Sequence, residues 1–304
     1  MLKICLFGSL SIEAGSASAT AIAGRSANLL AYLALGHGRS FSRSELLGNL
    51  WPDGGRSSAS SGSLNTALWR LRRLVEIPPY QHGELIVSDR CGAIGLRAQP
   101  GLWLDVEEFE RCVAPGLDKP CERLSDAEID ALRRGVQLYT SDILLDVTDD
   151  WALREREKYR RNHLNALGRL VQIDTIRRDY PAAIAHAQAI LDQDALREDV
   201  HRGLMELYVL SGQRALALRQ FEHCRGLLRR ELAIQPMRET LALYREIAEG
   251  AVGRAEAAPA ALALPTAAAA DPSPAGDPMA LIRAARGHLA TADSQLQMSL
   301  DLLH

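Results

Sequence analysis

The sequence predicts a mainly α-helical protein with a small α+β domain at its N-terminus and helical repeats behind it. Two β-rich runs flank three helical segments within the first 100 residues, and a 34-residue spacing recurs in the middle of the chain. Hydrophobic residues make up 47% of the chain while aromatics make up only 5%. Because alanine and leucine dominate by inspection, the composition favours helices.

The first 50 residues predict a strand or hairpin followed by two helices. The segment LKICLFGSLSIEA alternates and is rich in strand-forming residues. The segment GRSANLLAYLALGHG places apolar residues at helical spacing before Gly36 and Gly38. Then SRSELLGNLW opens with Ser42 three residues before Glu45, which is the pattern of a capping box.

A third, longer helix and a hairpin complete the N-terminal part. The segment SSASSGSLNTALWRLRRLVE, residues 57–76, predicts a helix that ends before Pro78 and Pro79. Two short β-rich runs in GELIVSDRCGAIGL flank Asp89 and Arg90, which predicts a hairpin. A strand, three helices and a hairpin in this order are the layout of a winged helix-turn-helix.

The third helix has two contrasting faces. One apolar face is expected to pack on the two earlier helices, and it carries Leu64, Leu68, Leu71 and Val75. The opposite face carries Thr66, Trp69, Arg70 and Arg73, and Arg72 lies to the side. Arginine suits contacts to both guanine and phosphate. The face therefore predicts DNA binding, and the alternative is a solvated basic face on an ordinary helix.

The distribution of charge agrees with DNA binding by the first third of the chain. Residues 1–100 hold 10 Lys and Arg against 6 Asp and Glu, although the whole chain has a formal net charge of −3. Positive charge concentrated in one region is the electrostatic footprint expected of a DNA-binding domain.

Residues 101–250 predict a repeat of helix pairs. A shift of 34 residues places Leu170 on Leu204 and Ala183 on Ala217. Thirty-four residues is the tetratricopeptide (TPR) period. Three pairs are expected, the first over about residues 125–168 and the last over about 215–248. A small residue such as Ala183 or Ala217 suits a position where paired helices approach closely.

Two further segments follow the repeats. Residues 251–278 are rich in Ala and Pro without periodicity, which predicts a linker. Residues 279–304 predict a C-terminal amphipathic helix in which Ile282, Leu289 and Leu296 recur every seven residues. This helix needs a partner, so either self-association or docking on the repeats is expected. The alternative is a weakly helical terminus.

The sequence contains no pattern for catalysis, metal binding or membrane insertion. It lacks GxSxG, HExxH and a glycine-rich phosphate loop, and its five cysteines form no CxxC. We therefore expect no enzyme, no cofactor and no metal. Acidic pairs such as Glu107-Glu108 and Asp149-Asp150 are interpreted as helix starts. Without a signal peptide or a long apolar run, a cytoplasmic protein with no membrane partner is expected.

A family resemblance extends over about residues 1–249. It is carried by the segments LKICLFGSLSI, LWP, ALWRLRRLV, LYTSDILLDVTDDWALREREKYR and RDYPAAIAHAQAIL. The chain resembles the SARP-type (antibiotic regulatory protein) transcription factors. Those regulators join an OmpR-type winged helix to a bacterial transcriptional activator domain. The resemblance implies domains at residues 1–100 and 101–250.

The resemblance also implies a function and a set of site residues. The function is sequence-specific binding to repeated sites in double-stranded promoter DNA, with recruitment of RNA polymerase. The implied base-reading residues are Ser63, Thr66, Trp69 and Arg70, while Arg72, Arg73 and Arg90 are implied contacts to the DNA backbone or from the wing. Two alternatives stay open at this point: a repressor of the same architecture, and a TPR-type adaptor that binds proteins.

Overall fold

The first two strands form a hairpin, where the sequence predicted a strand or a hairpin. The computed structural model describes residues 1–15, 19–52 and 58–250. In it, β1 (Leu2–Cys5) pairs antiparallel with β2 (Ser11–Ala14), and Ile4 lies opposite Ile12. Both of these isoleucines are buried, so the alternation in the sequence does mark a sheet with one face on the core.

Two further strands extend this sheet. Strand β3 (Thr20–Ala21) pairs with β2, and β7 (Leu102–Leu104) pairs in parallel with β1, which gives the order β3-β2-β1-β7. The sequence did not predict either strand, because two or three residues are too few to show alternation. Strand β7 comes after residue 100 in the chain, yet it completes the N-terminal sheet.

The three predicted helices follow in the expected order. They are α1 (Arg25–Leu35), α2 (Arg43–Leu50) and α3 (Ser58–Val75). Helix α2 begins where the sequence indicated, because the Ser42 side chain accepts a hydrogen bond from the backbone N–H of Glu45.

A second sheet lies behind the helices and contains the predicted hairpin. Strands β5 (Ile86–Ser88) and β6 (Ile94–Leu96) pair antiparallel, and β4 (Ser40–Phe41) adds a third strand in the order β4-β6-β5. Strand β4 was not predicted. The N-terminal part is therefore a winged helix-turn-helix whose wing is the β5–β6 hairpin.

The rest of the described chain is an array of helices, as predicted. The helices are α4 (Asp105–Asp118), α5 (Asp126–Leu138), α6 (Asp150–Ile176), α7 (Tyr180–Gln193), α8 (Glu198–Leu210), α9 (Arg214–Glu231) and α10 (Arg238–Glu249). The 34-residue alignment is confirmed by burial, since Leu170 and Leu204, and likewise Ala183 and Ala217, are each at most 1% exposed.

The array begins one helix earlier than the sequence indicated. Helix α4 contains Pro115 in its last turn, where proline removes one intrahelical N–H donor, and the helix ends three residues later. Glycines let α4 approach α5 closely. A Cβ on Gly116 would lie 2.9 Å from Leu132, and one on Gly135 would lie 2.7 Å from Val113.

The cores do not follow the sequence-based domain boundary at residue 100. One apolar core extends from Leu2 in β1 to Ile173 in α6, and a second joins α7, α8, α9 and α10. All the described residues belong to one compact unit. The predicted linker at 251–278 and the predicted C-terminal helix at 279–304 lie outside the described residues.

Candidate nucleic-acid interface

Helix α3 presents the two faces that its sequence predicted. The apolar face is inside, with Leu64, Leu71 and Val75 fully buried and Leu68 6% exposed. Ser63, Thr66, Trp69, Arg70 and Arg73 are all exposed. Because α3 contains three arginines and no carboxylate, its open face is positively charged.

The exposed side chains of α3 differ in the partners they already have. The Thr66 hydroxyl donates to the Gly62 carbonyl oxygen at 3.0 Å, which leaves its lone pairs free to accept. The guanidinium carbon of Arg73 lies 5.0 Å from the centre of the Trp69 ring, a cation–π contact. In the part of the chain that the structure describes, Arg70 makes no side-chain hydrogen bond.

Arg72 points away from the open face and holds the wing. Its guanidinium donates to the Ile86 carbonyl oxygen at 3.1 Å and to Ser88 Oγ at 3.4 Å. One turn further on, the Glu76 carboxylate accepts from the N–H groups of Ile86 at 2.9 Å and Gly83 at 2.8 Å. Arg72 in α3 and Glu76, the residue just after its end, therefore bind the backbone of the edge strand β5 and of the loop before it, which fixes the wing against the helix.

Arg90 lies exposed at the tip of the wing. The turn around it is built by Asp89, whose side chain accepts from the N–H groups of Cys91 and Ala93, each at 2.8 Å. Gly92 follows with a φ of 80°, a left-handed conformation that suits glycine. The structure thus places Arg90 on the wing and apart from the side chains on α3.

Two residues at this surface were missed in the sequence analysis. Arg43, in the first turn of α2, donates a hydrogen bond to Asn65 Oδ1 on the exposed side of α3. Arg43 also lies near the wing turn, since a Cβ built on Gly92 would lie 3.8 Å from its Cδ. The first helix of a helix-turn-helix crosses the DNA backbone, so an arginine beside the Ser42 cap was a usable signal.

The winged helix is joined to the helical array by a buried carboxylate. Asp105, only 4% exposed, accepts from the N–H groups of Leu6 at 2.7 Å, Phe7 at 2.9 Å and Val106 at 2.8 Å. Burial raises the pKa of Asp105 to about 6, against the opposing effect of these hydrogen bonds. Asp105 could not be recognised from the sequence, because its partners Leu6 and Phe7 lie about 100 positions away.

Aromatic rings reinforce the same junction. Phe7 lies with its ring centre 5.5 Å from that of Phe109, 5.1 Å from that of Tyr139 and 6.0 Å from that of Tyr159. The loop before α6 adds backbone pairing, since the Leu144 N–H donates to the Leu6 carbonyl oxygen at 3.0 Å. The position of the α3 surface is therefore fixed relative to α4, α5 and α6.

The acidic pairs lie where the sequence indicated. Glu107 and Glu108 occupy the first turn of α4, and Asp149 and Asp150 lie at the start of α6, so both pairs are helix starts. Within residues 1–15, 19–52 and 58–250, no cluster of three His, Cys, Asp or Glu residues is arranged to hold a metal ion. None of the helices that the structure describes is long and apolar enough to cross a membrane.

Comparison with known families and structures identifies the array. Residues 104–248 match the model of the bacterial transcriptional activator domain. The match begins at the end of β7 and closes within α10, so it contains nearly the whole helical array. No curated protein sequence matches the chain at a significant level.

Solved structures that match the chain include one with a similar fold. The structure of Mycobacterium tuberculosis EmbR in complex with a low-affinity phosphopeptide matches with a TM-score of 0.67 and 17% identity. That match covers 82% of this chain and 65% of the EmbR chain, slightly less than two thirds of it. Another match is the C-terminal TPR-containing domain of a Plasmodium falciparum FK506-binding protein, with a TM-score of 0.36 and 14% identity. It covers 48% of this chain and 90% of that chain, and it supports no inference.

The EmbR match shows that the likeness in fold extends beyond the activator domain, which accounts for slightly less than half of this chain. A winged helix-turn-helix precedes that domain, and both share one core. Residues 104–248 are therefore identified as a bacterial transcriptional activator domain, and the chain resembles EmbR in fold over 82% of its length.

Proposed function

We propose that this protein is a SARP-type transcriptional regulator that binds double-stranded promoter DNA through α3 and the wing, and that it activates transcription by recruiting RNA polymerase. One observation carries the DNA-binding part. Thr66, Trp69, Arg70 and Arg73 are exposed together on a face without carboxylates, while the opposite face of α3 is buried. A helix of this kind fits the major groove, where arginine pairs with guanine.

The residues divide into roles by position. Ser63, Thr66, Trp69 and Arg70 face the bases, and Arg73 and Arg90 contact phosphates from the helix and the wing. Arg72 contributes indirectly, since its guanidinium holds the strand that carries the wing. We add Arg43 as a phosphate contact from α2, because it lies between Asn65 and the wing turn.

The activator domain supports the second part of the proposal. Its helices offer a rigid surface at a fixed position relative to the DNA, which suits simultaneous contact with promoter and polymerase. Repeated promoter sites, action in the cytoplasm and recruitment of polymerase are expected from the regulator class. A repressor would share the same DNA contacts, and a TPR-type adaptor would lack them.

Two experiments test these parts separately. Gel shifts with promoter fragments should show sequence-dependent binding, whereas salt-sensitive binding without preference would indicate charge attraction alone. Transcription in vitro with purified RNA polymerase should rise when the full chain is added. A fall in transcript would identify a repressor, and DNA-independent capture of another protein would favour the adaptor.

A further inference from the structure

The Trp69 side chain is unusually exposed to solvent for a large apolar group. Its side chain is 56% exposed in the middle of a face that otherwise carries hydroxyl, amide and guanidinium groups. Covering an exposed indole is favourable in proportion to its apolar area. The exposed ring therefore indicates that the ligand of this face presents an apolar group opposite it.

The neighbours of Trp69 show where that group must lie. Asn65, Trp69 and Arg73 are spaced four residues apart, so they form one row along α3. Arg43 is held at the Asn65 end by a hydrogen bond, and Arg73 lies against the ring at the other end. The indole is thus flanked along the helix by two cations.

The chemistry of this row limits the partner. Indole has one N–H donor and no acceptor, so it cannot bond the exocyclic amines of adenine or cytosine. In the major groove the apolar group on a base edge is the C5-methyl group of thymine. The flanking guanidiniums match the phosphates that border the groove.

We propose that Trp69 packs on the C5-methyl group of a thymine, while Arg43 and Arg73 contact phosphates on either side of it. This inference rests on the proposed function and adds the identity of one base to it. A protein surface is a less suitable occupant, because the row presents a cation at each end and no carboxylate.

Replacing thymine with deoxyuridine tests the proposal, because it removes the methyl group and keeps the base pair. The full chain is first used to select a binding sequence from random duplexes. Each thymine of that sequence is then replaced singly, and dissociation constants are measured for the parent, Trp69→Ala and Trp69→Phe. Ile176→Ala is the matched control, since Ile176 is 59% exposed on α6, away from the winged helix.

One or two deoxyuridine replacements should weaken binding of the parent about fourfold, the effect of one buried methyl group. Trp69→Phe should keep that sensitivity in part, because it retains an apolar ring. Trp69→Ala should bind the thymine duplex more weakly and lose the sensitivity at the same positions. Ile176→Ala should behave as the parent, and circular dichroism should show that all the variants are folded.

The contrary outcomes are distinct. If the parent selects a sequence but tolerates every deoxyuridine, the thymine contact is wrong and the proposed function stands. The same conclusion follows if Trp69→Ala keeps the full sensitivity to deoxyuridine. It also follows if Trp69→Ala binds the thymine duplex as tightly as the parent, and that result would point to a protein as the partner of Trp69. If the full chain selects no DNA sequence, the proposed function fails and this inference fails with it.

Discussion

The three arginines of α3 have different environments although they lie within four residues. Successive residues point about 100° apart around a helix, so neighbours in sequence face different surroundings. Arg70 is exposed, Arg72 is bonded to strand β5, and Arg73 lies against the Trp69 ring. Counting arginines in the sequence therefore overstates the number that are available to DNA.

Arg70 and Arg73 should differ in the kind of binding that each supports. Arg70→Ala should cost about 1–3 kcal/mol and relax the preference at one base pair, if Arg70 pairs with a base. Arg73→Ala should weaken all sites similarly and reduce the salt slope by about one. Titrations against single-base variants of the site measure both effects. Parent-like binding by both variants would contradict the assignment of this face.

Asp105 should make stability depend on pH. Burial raises the pKa of Asp105 from 3.8 to about 6, so the folded state favours the protonated carboxyl. The contribution of Asp105 to the free energy of unfolding is therefore full below about pH 4 and falls as pH rises to about 6. This shift corresponds to about 3 kcal/mol.

The comparison variant is Asp105→Asn, which cannot titrate at this position. Urea unfolding of both proteins should be measured between pH 4 and pH 7. As the pH rises, the unfolding free energy of the parent should fall relative to that of Asp105→Asn. A difference that is constant across this range would show that the three backbone hydrogen bonds offset the desolvation of the carboxylate.

At the scale of single elements, the helix pairs depend on small residues at their contacts. Ala183 in α7 is fully buried, whereas Ala185 on the same helix is exposed. Ala183→Leu should overpack the contact and lower the free energy of unfolding by about 1–3 kcal/mol, while Ala185→Leu should leave it nearly unchanged. Thermal unfolding of the two variants measures this. Equal stability would contradict the 34-residue alignment.

Elements with strong local signals were predictable from the sequence, and those that depend on distant partners were not. The α3 faces, the Ser42 cap and the β5–β6 hairpin each follow from spacing or turn chemistry within a few residues. Strands β3, β4 and β7 are too short for a pattern, whereas the acidic pair Glu107-Glu108 indicated the start of helix α4. Arg43 and the role of Arg72 required the packing of α2 and β5 against α3 to be known.

At the scale of the whole molecule, the winged helix and the activator domain share a core. Strand β7 lies beside β1, and the Asp105 carboxylate binds the backbone at Leu6 and Phe7. A fragment of residues 1–100 lacks both of these elements. It exposes the Phe7 ring, which otherwise packs against Phe109, Tyr139 and Tyr159.

We therefore expect the 1–100 fragment to be much less stable than a 1–250 fragment. The shared core also predicts one cooperative transition for the winged helix together with α4, α5 and α6. Calorimetry and near-ultraviolet circular dichroism of the two fragments measure this. A 1–100 fragment that unfolds cooperatively at the temperature of the longer fragment would show that the shared core is dispensable.

Sequence reading by α3 is tested most directly by the affinity of the full chain for matched and shuffled duplexes. The full chain is titrated at about 0.15 M salt, with fluorescence anisotropy as the readout, against its selected site and a duplex of the same composition in scrambled order. We predict a dissociation constant at least about a thousandfold lower for the selected site. Equal constants that weaken in parallel as salt is raised would contradict sequence reading and leave charge attraction alone.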